Sequence, residues 1–122
     1  MVPFGRVTPS IYVRDMARSL EFYRDILGFS VAFTNGSPVS FAVLKQDAAY
    51  LHLSVRSEDA GSCHTHIMVS GLDSFYDRLV GAGVLVRQPP KVQPWGLRDI
   101  VLADIDGNTF EFAELITEPA SV

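Results

Sequence analysis

The feature that most constrains the fold of this chain is that its pattern of residues runs through once and then starts again. Residues Val7 to Val13 alternate, with Val7, Ile11 and Val13 on one side and Thr8, Ser10 and Tyr12 on the other, the period of a half-buried strand. Asp15 is placed to cap a helix whose apolar stripe is Met16, Leu20, Tyr23 and Leu27, and Gly28 ends it. Strands follow at Phe29–Phe33, Val39–Leu44 and Tyr50–Val55, with Asn35-Gly36 as a hairpin turn. The order then recurs: a strand at His64–Val69, a helix at Leu72–Val80 stopped by Gly81 and Gly83, and a short strand at Val84–Val86. A proline-rich loop is expected over Gln88–Pro94, then strands at Arg98–Ala103 and Thr109–Ala113 around the turn Asp104–Asn108. From Thr117 the tail is expected to fray.

Laid on one another, the halves match at Val13 and Val69, and at Met16 and Leu72. After a slip of one residue Leu27-Gly28-Phe29 meets Ala82-Gly83-Val84, and Leu51-His52-Leu53 falls on Phe110-Glu111-Phe112. The expected fold class is α+β. Two β-α-β-β-β repeats, about 7–55 and 64–115, form a curved mixed sheet with helices on its outer face. A length of 122 residues supports one domain, 1–122, since two separate cores would each be near the lower size limit.

Strand parity turns this fold into a site. The apolar side of each strand must face the helices, where a core can be buried. The opposite face then carries Thr8, Ser10 and Tyr12 with His64, His66 and Met68, and Tyr50, His52 and Ser54 with Thr109, Glu111 and Ala113. Two readings stand open for it: a solvated outer face, common in antiparallel sheets, or a lining for a ligand cleft.

Composition narrows the partners. The net charge is −4 with basic residues scattered singly, which argues against nucleic acid and against an anionic membrane surface. A cationic or neutral small molecule is the easier partner. No apolar run approaches the length that spans a bilayer, and the first residues do not read as an export signal. With the single cysteine, Cys63, this leads us to expect a cytoplasmic protein. No G-x-S-x-G nucleophile turn and no glycine-rich phosphate loop is present. Cys63 beside His64 is a weak candidate for an activated thiol.

The run from Tyr12 to Phe29, YVRDMARSLEFYRDILGF, resembles the opening signature of the vicinal-oxygen-chelate superfamily, which includes glyoxalases, extradiol dioxygenases and bleomycin-resistance proteins. Asp104–Glu111, DIDGNTFE, is similar to that family's closing segment, with Ile105 in place of its usual proline. Gln93-Pro94-Trp95-Gly96 followed by Arg98-Asp99, and the helix start Val69–Tyr76, resemble the bleomycin-resistance branch. That resemblance implies a homodimer that sequesters a planar aromatic or cationic small molecule in clefts at the subunit interface, without catalysis or cofactor. The ligand-binding residues it suggests are Phe33, Phe41, Tyr50, Trp95 and Arg98. For Trp95 two roles stand open, a stacking face for a ligand or a loop anchor packed on the core.

The enzymes of the superfamily imply an alternative: a metal-dependent lyase, isomerase or dioxygenase. Their four symmetric ligand positions correspond here to Thr8, His52, His64 and Glu111. Three of these can bind a divalent ion such as zinc, manganese, iron or nickel. Threonine is a poor ligand, and Thr8 stands where the enzymes carry histidine or glutamine.

Overall fold

A computed structural model describes residues 1–116; the tail expected to fray from Thr117 lies outside the described residues. Each repeat builds its own four-stranded mixed sheet. The first half contains β1 (Ser10–Val13), α1 (Met16–Leu20), β2 (Ser30–Asn35), β3 (Phe41–Gln46) and β4 (Ala49–Val55), and its sheet order is β1-β4-β3-β2. The second contains β5 (His64–Met68), α2 (Leu72–Gly81), β6 (Val86–Val92), β7 (Leu97–Ala103) and β8 (Thr109–Leu115), in the order β5-β8-β7-β6. In both, the first strand runs parallel to the last and the other pairings are antiparallel.

The registers repeat as well. Ser10 lies opposite His52 in the first sheet, and His66 opposite Glu111 in the second. Residues that the overlay makes twins therefore occupy twin places. The apolar faces of both sheets close on one continuous core in which Ile11, Val13, Leu44, Leu53, Leu72, Leu79, Leu102 and Phe110 have 1% exposure or none.

Helix starts follow from local chemistry. The Asp15 carboxylate accepts a hydrogen bond from Arg18 N at 3.1 Å, satisfying an amide that α1 would leave unpaired. Helix α2 has no side-chain cap of its own. Instead Glu114 on β8 accepts from the amides of Gly71 and Leu72, placing negative charge at the positive end of the helix.

The one-residue slip between the halves has a visible cause. After Leu20 the first helix continues as a π-helical turn, Glu21–Ile26. Leu27 N donates to the Phe22 carbonyl at 3.0 Å, five residues back, whereas Ala82 N in the second helix donates to Arg78, four back, also at 3.0 Å. Met16 stands 56 residues before Leu72, but Gly28 only 55 before Gly83. The wider turn takes up the extra residue, so both helix ends keep equivalent positions.

Three sequence expectations are corrected. The first strand begins at Ser10, and Val7, expected in its apolar face, is 86% exposed. The single α-helix expected before Gly28 is α1 and the π turn. Residues 88–92 of the expected proline-rich loop are part of β6, not a loop. Strand β6 lies at the sheet edge and its register shifts between Val86 and Gln88 and again between Gln88 and Lys91. An edge strand with bulges does not need every amide, so Pro89 and Pro90 fit there.

Candidate functional site

The helix-free faces of the two sheets carry equivalent rows of side chains. Across the first sheet the register gives Phe33, Val43, His52 and Ser10; across the second it gives Gln88, Val101, Glu111 and His66. His52 and Glu111 are thus counterparts.

The first face is aromatic and cationic. Phe33 is exposed, and Phe41 meets the His52 imidazole edge-on with centroids 5.0 Å apart. The Arg6 guanidinium lies 3.5 Å from the centre of the Tyr50 ring, with Lys45 Nζ at 5.7 Å, and Arg56 lies 4.6 Å from the centre of Tyr12. Such cation–ring contacts hold flat aromatic surfaces in place. Thr8 precedes β1 and is half-buried.

The second face is acidic with histidines around it. Glu111 Oε2 lies 3.7 Å from His66 Nε2, and its Oε1 lies 3.9 Å from His64 Nε2. His64 Nδ1 and Thr109 Oγ1 are 2.6 Å apart. Next to Glu111 on this face, Asp99 is buried at 2% exposure, and its Oδ1 accepts from Gln88 Nε2 at 2.7 Å and Gln93 Nε2 at 3.0 Å. A hydrogen bond with Asp99, then burial and the Asp99 charge, raise the Glu111 pKa above the usual carboxylate value. Burial pushes Asp99 the same way, but hydrogen bonds from Gln93, Glu111 and Gln88 outweigh it and hold Asp99 below its usual value.

The sequence-derived residues therefore fall into separate groups. Phe33, Phe41, Tyr50 and His52 share the first open face, and His64 and Glu111 share the second. Trp95 sits in the turn between β6 and β7, where Gly96 N donates to the Gln93 carbonyl at 3.2 Å. At 64% exposure it is not the buried loop anchor. Arg98 has the parity of Ile100 and Leu102, so it points to the helix side, where it pairs with Asp73 of α2. The sequence reading missed Asp99, Gln88 and Gln93. The signal was available for Asp99: extending strand parity to β7 puts it on the same face as Glu111.

Within one chain the metal donor set does not fit. Among the described residues, no three of the histidine, cysteine, aspartate and glutamate side chains are grouped to hold an ion, and His52 stands on the other sheet.

The family model of the Glyoxalase/Bleomycin resistance protein/Dioxygenase superfamily matches residues 4–112. The chain belongs to that superfamily. Among its curated relatives, a bleomycin resistance protein of Geobacillus stearothermophilus is 28% identical over 128 residues, covering 88% of this chain and 95% of the relative. The fold recurs in TnmS3, an antibiotic binding protein from Streptomyces sp. CB03234, with TM-score 0.81 and 24% identity over 94% of this chain and 99% of that one. It recurs in the bleomycin-binding protein of Streptomyces verticillus complexed with copper(II)-bleomycin, with TM-score 0.77 and 24% identity over 92% and 97% of the two chains. Those likenesses show the superfamily's vicinal-oxygen-chelate fold.

Proposed function

We propose that this superfamily member is a small-molecule binding protein of the antibiotic-sequestering kind, taking up a planar or cationic ligand without chemical turnover. The observation that carries the reading is the pairing of unlike open faces. One offers the rings of Phe33 and Phe41, and the other the partly exposed carboxylate of Glu111, with the charge of buried Asp99 behind it. A ligand with an aromatic body and a cationic arm finds a partner for each part. The bleomycin resistance relative and the exposed Trp95 support the same reading. In this proposal two copies associate, so that each cleft takes the aromatic face of one chain and the acidic face of the other.

Trp95 is the only tryptophan, so its fluorescence reports on one place. Titration with metal-free bleomycin should quench it with a saturable profile and release heat by calorimetry, and Trp95→Phe should weaken binding. No heat and no fluorescence change with bleomycin or other aromatic cations would refute the reading. Sedimentation should report a dimer; a monomer at micromolar concentration would remove the shared cleft.

A second reading, a metal-dependent enzyme, is favoured by one observation: His64 and Glu111 stand 3.9 Å apart on one face, and His52 holds the position equivalent to Glu111. It requires His52 from a second chain. Protein that takes up no zinc, manganese, iron(II) or nickel rules it out.

A further inference from the structure

The two halves differ where each hairpin turn meets the helix of the other half. The β7–β8 turn, Asp104–Asn108, clasps the first repeat. The Tyr23 hydroxyl donates to Asp104 Oδ2 at 2.7 Å, Arg14 Nη1 to Asp106 Oδ1 at 3.1 Å, and Asn108 Nδ2 to the Tyr12 carbonyl at 2.9 Å. The equivalent β3–β4 turn has only Asp47 and Ala48 between its strands. Its opposite numbers on the second repeat have changed too. Counted from the Met16–Leu72 match, Leu79 replaces Tyr23, Ser70 replaces Arg14, and Arg78 replaces the buried Phe22.

Where the clasp would be, there is a cavity of about 620 Å³. Its apolar wall includes Phe29, Ile67, Phe75 and Phe112, and Ser74 and Arg78 of α2 line it one helical turn apart. The strand beneath records the missing cover: Ile67 and Val69 are only partly buried, while their twins Ile11 and Val13 are at 1% and 0% exposure. The Arg78 guanidinium lies 5.2 Å from the centre of the Phe75 ring and donates one long hydrogen bond, 3.4 Å, to the Leu27 carbonyl. Among the described residues it has no carboxylate at ion-pair distance. The one acidic lining residue, Asp47, is on the hairpin turn.

We propose that this cavity is a second ligand site, apart from the open sheet faces, for a small organic acid with an apolar body. The carboxylate of the ligand would meet Arg78 and Ser74 in the space that the shorter β3–β4 turn leaves open. Its apolar body would cover Ile67, Phe75 and Phe112. The volume lies within the range of about 300–1,000 Å³ usual for small-molecule pockets, and a charge-assisted contact to arginine supplies orientation.

The test is a titration of the ¹⁵N-labelled full chain with 2-naphthoate, followed by amide shifts. Saturable shifts centred on Ala48, Ser70 and Ser74 are expected. Arg78→Gln should weaken binding about tenfold or more, the loss of a hydrogen bond to a charged group. The cation 2-naphthylmethylammonium should bind at least tenfold more weakly. Ser74→Leu, an exposed position, should reduce binding by filling the cavity while leaving the melting temperature near that of the wild type. Absence of saturable binding overturns the proposal. So do shifts centred on His66 and Glu111 instead, equal binding by Arg78→Gln, or equal binding of the cation.

Discussion

Replacing Tyr23 by phenylalanine would remove one oxygen from the seam between the two repeats and little else. The ring is fully buried and makes edge contacts with Phe22, Phe29 and Phe110 at centroid distances of 5.3, 6.5 and 5.8 Å, all of which phenylalanine keeps. What goes is the 2.7 Å hydrogen bond to Asp104 Oδ2. Asp104 is not orphaned by the change. It still accepts from Asn108 Nδ2 at 2.8 Å and from the amides of Asp106 and Asn108, both at 2.9 Å. Hydrogen bonds to charged groups contribute about 1.5–3 kcal/mol, and with three donors left the loss belongs near the lower end, about 1.5–2 kcal/mol. For a chain of this size that corresponds to a fall of roughly 5–9 °C in Tm. Burial, and then the charge of Asp104, raise the Tyr23 phenol well above its usual pKa. The neutral phenol is therefore the form the fold favours, and its contribution is full below about pH 10 and is lost as pH rises further. Urea unfolding at pH 7 should show the whole difference between Tyr23→Phe and wild type, and the difference should shrink as the solution is made more alkaline. A double-mutant cycle with Asp104→Asn should give a coupling of about 1 kcal/mol or more. A loss under about 0.5 kcal/mol, or a coupling near zero, would refute the claim that this bond ties the repeats together.

Two further perturbations probe the same turn and the acidic face. Asn108 is fully buried with all four of its hydrogen-bonding places used: Gly61 N at 3.0 Å and Cys63 N at 3.1 Å donate to it, and it donates to the Tyr12 carbonyl and to Asp104. Asn108→Ala should cost about 3–5 kcal/mol by chemical denaturation, since several buried groups lose their partner at once. Glu111→Gln should act the other way. Because the Asp99 hydrogen bond and burial raise the Glu111 pKa, its protonated form favours folding, a contribution lost as pH rises through the raised value. At pH 7 the uncharged glutamine should match wild type or exceed it by about 0.5–1 kcal/mol, and the gain should vanish below about pH 4, measured by urea melts across pH.

The repeat was legible because period-two and helical patterns survive in both halves, and because Gly28 and Gly83 mark the same helix stop. Strand parity alone places His52, His64 and Glu111 on the side of the strands away from the helices. Three things stayed hidden for physical reasons. Pro89 and Pro90 argue for a loop in general, and only their place at a bulged sheet edge makes them strand residues. Arg98 belongs to the segment that resembles the bleomycin-resistance branch and suggests a ligand role, yet its parity in β7, shared with Ile100 and Leu102, turns it to the helices and Asp73. Asp99 looks like an exposed charge next to it in sequence, and only the glutamines from β6 and the following turn explain its burial.

The π-helical turn has a consequence for how this chain tolerates change. A helix wound with one residue to spare can lose that residue and return to ordinary winding with both ends still in place. The second helix, already regular, has no such reserve; a deletion there would pull Gly83 out of its turn and drag β6 out of register. Length variation should therefore collect in the segment from Glu21 to Ile26, and the second half should hold a fixed span between Leu72 and Gly83.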